Sequence, residues 1–362
     1  MFLVCNFYYL STSKNVVISN KIFTTIKVTV YTMVGSLLMF VAILYLGVAY
    51  HNEFGVWSFA YNELMKITTL EYSTKVWLFL GFLTAFAIKI PIFPLHTWIM
   101  ETYKNAPTGA VFLLSSIMAK LGVYAIVRFM IPIFPEIYIE FSAYFVAIGL
   151  FGLIYFGIAA LMQDDIKRMF AYSSASHLSF IAAGIFSLNE YGINGALYLI
   201  IAHAIATGAL FLLVGLIHEE TGFKTIKDLG GIAKQAPILT FIFAIMLFAN
   251  VGLPGTNGFV SELLIIFGIY EFNHTLGYIS ATTVVIGASY MLWMFQRAIL
   301  QDRPEGSPVL KMRDLKIKEM IGLAPWVILV FLMGLYPEIF IDKFEPTVTH
   351  YLNDILQIGA TK

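Results

Sequence analysis

Charged residues are scarce in this chain of 362 residues: Asp, Glu, Lys and Arg make up 12% of it, against 59% for hydrophobic residues. In a water-soluble domain roughly a quarter of the residues are charged, so the composition excludes that class of protein. Acidic and basic residues balance at 22 each, and a chain without net charge lacks the electrostatic basis for binding nucleic acid. We therefore expect a lipid bilayer as its environment and no nucleic-acid partner.

Cysteine is nearly absent as well. The single cysteine, Cys5, excludes a framework of internal disulfides and a cysteine-ligated metal cluster. The sequence contains neither a glycine-rich phosphate loop nor a Gly-x-Ser-x-Gly nucleophile turn. The stretch HEETG, which starts at His218, has Gly222 where a zinc-protease motif needs its second histidine. We therefore expect no metal and no redox cofactor in this chain.

Long apolar runs recur along the whole sequence, each about as long as the ~20 residues that a helix needs to cross a bilayer. They are not the alternating ten-residue segments of a membrane barrel, so the predicted fold class is an all-α polytopic membrane protein. Residues 1–23 lack the order of a signal peptide and are predicted to be an irregular lead-in, and residues 346–362 a C-terminal tail. About nine transmembrane helices are predicted, at 26–50, 74–100, 107–131, 141–162, 169–188, 193–217, 236–271, 275–300 and 320–341.

Lysines and arginines are distributed unevenly over the predicted loops. With nine crossings, 15 of them fall on one side of the membrane and 5 on the other, while Lys89 and Lys120 lie inside predicted helices. Positively charged loops remain in the cytoplasm. The bias predicts a cytoplasmic N-terminus in a multi-pass protein of the cell inner (plasma) membrane.

Prolines interrupt two of the longest runs, at Pro91 and Pro94 in one and at Pro254 in the other. Neither Pro91 nor Pro254 can donate a hydrogen bond to the carbonyl four residues before it. Backbone opened at membrane depth is tolerated inside protein or beside water. An ordinary kink is one explanation for each proline, but two broken helices in one chain are typical of ion sites in transporters built from repeats.

Ionisable side chains occur where lipid is expected. Lys89, Lys120 and Glu262 each cost about 2.5–3.5 kcal/mol at the centre of a bilayer. Snorkelling to a nearby interface is the alternative explanation for Lys89 and, with a longer reach, for Lys120. Buried lysines and carboxyl groups change their proton affinity readily, so a row of them can pass protons. His177 and His203 suit a relay at cellular pH, with hydrogen-bonded packing as the alternative.

Polar neighbours at helical spacing support this interpretation. Ser116 and Tyr124 lie one turn on either side of Lys120, and we expect them to share its helix face and to solvate it.

Two mid-membrane histidines also leave haem ligation open as a weaker hypothesis. An intramembrane hydrolase is weaker still, because no nucleophile–base pair is recognisable.

Five stretches together resemble the antiporter-like subunits of respiratory complex I, a proton-conducting membrane transporter family that also occurs in multisubunit Na+/H+ antiporters and membrane-bound hydrogenases. The resemblance covers residues 24–345 and implies two inverted repeats of five helices, each with a broken helix. Residues 24–135 would form an incomplete first repeat, 140–300 the second repeat and 318–345 the last helix. The stretches are FAIKIPIFPLHTW, NAPTGAVFLLSSIMAKLGVYAIVRF, QDDIKRMFAYSSASHLSFIAAGIFS, IIAHAIATGALFLLVGLIHE and GLPGTNGFVSELLII.

The resemblance also implies roles for individual residues. Lys89 matches the lysine of the first broken helix, Lys120 the central lysine and Glu262 the terminal protonatable residue, while His177 and His203 match relay positions. Members of the subunit M type (chain 4) carry glutamate where the L and N types carry lysine, so Glu262 favours the M type. Because the family has about fourteen helices, the resemblance implies an N-terminally truncated member that lacks the glutamate partner of its first lysine. A genuine short paralogue is the alternative.

The function expected from the resemblance is that of a non-redox membrane subunit of a proton-pumping NADH:quinone oxidoreductase. The buried charges would translocate protons, while partner subunits with FMN and iron–sulfur clusters pass electrons from NADH to quinone. The expected partners are membrane subunits of the L and N types. Two alternatives remain open: a subunit of a Na+/H+ antiporter or membrane-bound hydrogenase, and a truncated remnant that pumps nothing.

Overall fold

The structure, a computed structural model, describes residues 17–303 and 312–360, and these residues form helices and connecting loops without any strand. We number the helices of the described part as α1 Val17–Phe54, α2 Tyr61–Leu64, α3 Tyr72–Lys89, α4 Thr97–Asn105, α5 Thr108–Ile133, α6 Pro135–Leu161, α7 Ile166–Ile185, α8 Glu190–Thr221, α9 Ile232–Gln235, α10 Pro237–Val251, α11 Asn257–Phe272, α12 His274–Leu300, α13 Ile317–Leu335, α14 Glu338–Ile341 and α15 Glu345–Ala360.

Six of these helices are each long and apolar enough to cross a membrane: α1, α5, α6, α8, α12 and α13. Helices α3 and α7, with 18 and 20 residues, and the consecutive pair α10 and α11 occupy the other predicted spans. Each of the nine predicted segments therefore falls on helix. The all-α polytopic fold is confirmed.

The N-terminal part differs from the prediction in one respect. Helix α1 begins at Val17, inside the stretch 1–23 that was expected to be irregular. Residues 17–23 contain neither proline nor glycine, so nothing in their sequence ends the helix there. Residues 1–16 lie outside the described part. Helix α6, in the region of the predicted second repeat (140–300), begins at Pro135, because proline is well accommodated in a first helical turn.

The C-terminal part is more structured than predicted. The last span, expected over 318–345, ends at Leu335, because Pro337 disfavours a helical conformation in the residue before it. The predicted tail, 346–362, is helical up to Ala360. This helix, α15, packs on α6 and α8 and buries Val348, Leu352 and Ile355.

Helices α7 and α8 lie at the centre of the bundle. Apart from Arg168 and Tyr172, every residue of α7 is buried, because α4, α6, α8, α11 and α12 all pack against it. Small residues permit this close approach: a Cβ atom added to Gly149 of α6 would lie 2.8 Å from the carbonyl oxygen of Ser179. Small residues at helix contacts are typical of membrane bundles.

Helix α5 contains two π-helical segments, Leu114–Met118 and Ile126–Met130. In a π turn a backbone N–H bonds to the carbonyl five residues back, as Ala119 does to Leu114. Such segments occur frequently at functional sites. Lys120 lies between the two.

Candidate functional site

Four of the five predicted site residues form a continuous row in the centre of the bundle. Lys120 on α5 places its Nζ 2.9 Å from Nδ1 of His203 on α8. The ring of His203 lies against that of His177 on α7, with 5.1 Å between the ring centroids. Nε2 of His177 is 3.4 Å from a carboxylate oxygen of Glu262 on α11. Four different helices thus bring four ionisable groups into successive contact.

This row, Lys120–His203–His177–Glu262, is almost completely shielded from the protein surface. The four residues are between 3% and 6% exposed. Ionisable groups at such depth need partners, and the row supplies them. Backbone adds two more contacts: Lys120 Nζ donates to the carbonyl of Ser115, and His177 Nδ1 lies 3.0 Å from the carbonyl of Ser173.

The first π segment of α5 explains the direction of Lys120. The expected solvating residues are not its partners: the hydroxyl of Ser116 has no hydrogen-bond partner in the described part of the chain, and Tyr124 is exposed. Instead the lysine reaches the carbonyl of Ser115, five residues back. The prediction of Ser116 and Tyr124 is wrong because it assumed a regular α-helical face, which a π turn rotates.

The donor and acceptor groups of Lys120 and His203 determine where a proton can move between them. An ammonium group only donates, so while Lys120 is charged, Nδ1 of His203 accepts and the ring proton is on Nε2. Nε2 is buried and finds no partner among the described residues. Moving the shared proton from Lys120 to Nδ1 would leave two protons on His203, which favours release of the proton on Nε2. The geometry therefore fits proton transfer between Lys120 and His203, whereas His203 and His177 are joined by a ring contact and not by a hydrogen bond.

Glu262 lies against the second helix break. Helix α10 ends at Val251, and Gly252 turns the chain with a φ of +78°, a conformation that glycine adopts without a steric penalty. A Cβ atom on Gly252 would lie 2.7 Å from Oε2 of Glu262. Glycine at this position therefore serves both the backbone turn and the buried carboxylate.

A cluster of neutral polar groups adjoins the row. Asn250 donates from Nδ2 to Oγ1 of Thr207 over 3.0 Å. The hydroxyl of Ser173 is 3.0 Å from that of Tyr290 and 3.5 Å from Oδ1 of Asn250. Since the carbonyl of Ser173 contacts His177, the cluster is joined to the row. Asn250 precedes the GLPG break, a signal that could have identified it, whereas nothing in the sequence marks Tyr290.

Lys89, the fifth predicted residue, is separate from the row. It is the last residue of α3 and is partly buried. No hydrogen bond or ion pair joins it to any described residue. Its Cβ atom lies close to Gly122 of α5, the helix that carries Lys120. The structure therefore places Lys89 beside the first break without a charged or polar partner in the described ranges.

The backbone at the first break is less open than predicted. Pro91 cannot donate to the carbonyl of Ala87, but the N–H of Ile92 does so over 3.0 Å. Nε1 of Trp98, on the next helix, donates to the carbonyl of Ile88 over 2.9 Å. Two of the last carbonyls of α3 are thus satisfied by groups beyond the proline, because the chain turns back towards the helix end.

The geometry also bears on haem ligation. The rings of His177 and His203 contact each other, and each contacts its other neighbour in the row. A haem held by both would have to lie between rings that already touch. In residues 17–303 and 312–360, no group of three or more His, Cys, Asp or Glu residues could hold a metal ion.

Known proteins resemble the chain over most of its length. Residues 2–287 match the family described as NADH:quinone oxidoreductase/Mrp antiporter, TM. NADH-quinone oxidoreductase subunit M of Rickettsia bellii is 34% identical over 336 residues, which are 92% of this chain and 66% of the relative. The chain thus spans just under two thirds of the length of this relative.

Solved structures share the same helical arrangement. A chain of respiratory complex I from Thermus thermophilus is 32% identical and superposes with a TM-score of 0.83 over 92% of this chain and 69% of that one. A chain of the Mrp complex from Dietzia sp. superposes with a TM-score of 0.76 over 93% and 70% of the two chains, and at 15% identity it shows a common fold alone. From the sequence match over residues 2–287, we conclude that the chain belongs to the NADH:quinone oxidoreductase/Mrp antiporter transmembrane family.

Proposed function

We propose that the chain is a membrane subunit of a proton-pumping NADH:quinone oxidoreductase and that it translocates protons through the row Lys120–His203–His177–Glu262. The observation that carries this proposal is the unbroken series of contacts from Nζ of Lys120 to the carboxylate of Glu262. Similarity to a subunit M and to a chain of complex I supports the choice of complex.

The proposed mechanism depends on the electrostatic interaction between neighbouring charges of the row. Two unit charges 4 Å apart interact by about 4 kcal/mol at the effective dielectric constant of a protein, so a proton that arrives at one member changes the proton affinity of the next. Electron transfer elsewhere in the complex would alter the charge at one end of the row. Lys120 and Glu262 would then change their proton occupancy in turn, with His203 and His177 as intermediates.

Lys89 has a separate role in the proposal. Its position beside the first break, on a helix that packs against α5, suits an additional proton-transfer residue upstream of Lys120. Because it is partly buried, it can exchange a proton with water more readily than the four members of the row. We place it at an entrance of the path.

The proposal extends to partners and orientation. Membrane subunits of the L and N types would lie beside the chain in the inner (plasma) membrane. Other subunits would carry FMN and iron–sulfur clusters and perform the redox chemistry, and this chain would contain no redox site. The charge bias of the loops supports a cytoplasmic N-terminus.

Purification of the tagged chain from its native membrane in mild detergent tests the choice of complex. We expect mass spectrometry to identify flavin and iron–sulfur subunits of an NADH dehydrogenase in the same particle. Antiporter or hydrogenase subunits instead would keep the proton path and replace the driving reaction. A chain purified without any partner would contradict the assignment to a complex and favour the remnant.

The variant Lys120→Met tests the row itself. Methionine keeps the approximate length of the side chain but can carry no proton, so NADH-driven proton uptake into vesicles that contain the native complex should fall at least about tenfold, which corresponds to ~1.4 kcal/mol or more in the barrier. Lys227→Met is the matched control, because Lys227 is 71% exposed and pairs with Asp164 at the surface. Equal uptake by both variants would contradict a function of the row.

A further inference from the structure

A hydrogen bond joins the C-terminal helix α15 to α5, the helix that carries Lys120. The hydroxyl of Tyr351 donates to the carbonyl oxygen of Val127 over 2.8 Å. Val127 lies within the second π segment, Ile126–Met130. The two residues are far apart in the sequence, so the bond ties α15 to the C-terminal part of α5.

Similar bonds from aromatic side chains have a simple explanation elsewhere in the molecule. They end on carbonyls in the last turn of a helix, where no intrahelical donor exists. This explanation fails for Val127, because α5 continues to Ile133. The bonds at helix ends are those of Trp98 to Ile88 in α3, Tyr138 to Ile185 in α7 and Tyr198 to Met333 in α13.

Pro132 accounts for the free carbonyl of Val127. In a regular α turn this carbonyl would accept from the N–H of Ile131, but that N–H bonds to Ile126, five residues back. In a π turn the donor would be residue 132, and proline has no N–H. With the N–H of Ile131 donated to Ile126 and proline at 132, the carbonyl of Val127 has no backbone donor in the π register, and leaving a partly buried carbonyl unpaired is unfavourable. The hydroxyl of Tyr351 occupies this position.

We propose that Tyr351 is a positioning residue that stabilises the second π segment and thereby directs Lys120 towards His203. Lys120 lies between the two π segments, so both determine which way its turn of the helix faces. One residue corresponds to about 100° of rotation in an α-helix. A π segment that relaxed to a regular helix would turn Lys120 away from His203 or displace the end of α5.

The variant Tyr351→Phe removes only the hydroxyl, and the double variant Tyr351→Phe/Pro132→Ala returns a backbone N–H that can reach Val127. In the native complex, we expect Tyr351→Phe to accelerate hydrogen exchange in the peptide spanning 126–131 about fivefold, the equivalent of one hydrogen bond. The double variant should restore slow exchange. Tyr336→Phe is the control, because Tyr336 is exposed. Unchanged exchange in Tyr351→Phe, or no recovery in the double variant, would overturn the proposal.

The pH profile of NADH-driven proton uptake separates a positioning role from simple packing. We expect Tyr351→Phe to move this profile by up to about one pH unit and the double variant to return it. A faster exchange with an unchanged profile would overturn the positioning role. The proposal rests on the proposed function, yet the two can fail separately: Lys120→Met tests transport through the row, whereas exchange in α5 reports the contact of Tyr351 whatever the transport result.

Discussion

The two helix breaks of this molecule are built from different residues and hold their ionisable groups differently. After α3, prolines end the helix, and Trp98 and Ile92 satisfy its last carbonyls. After α10, Gly252 and Gly255 turn the chain with φ angles of +78° and +91°. The glycine-built break packs directly against Glu262, whereas the proline-built break leaves its lysine partly buried at the helix end.

A helix break alone therefore does not bury a charged side chain. Glu262 is 4% exposed and is accompanied by His177. Lys89 is partly exposed and has no partner among the described residues. A fully buried charge needs a partner, while the long stem of a partly buried lysine lets its ammonium reach away from apolar surroundings. The depth of each group therefore follows from its neighbours rather than from the opened backbone beside it.

The largest effect is expected for Gly252→Ala, which should lower the free energy of unfolding by about 3 kcal/mol. An alanine at a positive φ costs about 1–2 kcal/mol, and its methyl group would displace the buried Glu262 carboxylate at a further cost of about 1–3 kcal/mol. Thermal or denaturant unfolding of the purified protein in detergent measures the loss.

The matched control for this prediction is Gly255→Ala. Gly255 also has a positive φ, but a Cβ atom there would meet nothing within 4 Å. We expect a loss of about 1–2 kcal/mol, the backbone contribution alone. If both variants lose the same free energy, the contact between Gly252 and Glu262 contributes nothing, and the comparison between the two breaks would lose its physical basis.

Much of the fold could be predicted because the length of an apolar run and the positions of proline and glycine act locally. Pro91 and the GLPG stretch marked both breaks correctly. The residue types of Lys120, His177, His203 and Glu262 identified the candidates, since each is costly in a membrane. Their role in proton transfer stays a prediction, but their contacts are now visible.

Contacts between helices were not predictable in the same way. The separation of Lys89 from the row depends on how α3, α5 and α8 pack, and a single sequence does not contain that geometry. The π segments of α5 changed the partners of Lys120 from Ser116 to Ser115, and Pro132 is the one local sign of either segment. The polar contacts of Tyr290 likewise arise only from packing.

A smaller loss of stability is expected for Asp314→Ala, which removes a contact at the start of α10, the first half of the second broken helix. The carboxylate of Asp314, in the loop before α13, accepts hydrogen bonds from the N–H groups of Ile238 and Leu239 in the first turn of α10, both over 2.9 Å. Burial opposes ionisation of Asp314, but the backbone N–H groups outweigh it and lower its pKa. Asp314→Ala should cost about 1 kcal/mol of the free energy of unfolding, as for other helix caps.

The pH dependence of this cost follows from the lowered pKa. Stability from Asp314 is fully present above the ordinary carboxyl pKa of about 4 and is lost as pH falls through the lower pKa of the folded state. The difference between wild type and Asp314→Ala should therefore shrink below about pH 4. Glu71→Ala is the control, because Glu71 precedes α3 without a side-chain capping bond. An equal loss in both variants would contradict a special cap on α10.

The smallest change in the free energy of unfolding is expected for Lys89→Met, at the first break. Because no described residue pairs with Lys89, its removal leaves no buried group without a partner, and the free energy of unfolding should change by less than about 0.5 kcal/mol. Glu262→Leu, measured beside it by thermal unfolding, leaves His177 without its partner and should cost about 1–3 kcal/mol. A loss of similar size for Lys89→Met would mean that the ammonium has a stabilising partner in the intact protein, and the two breaks would then bury their charges by the same principle.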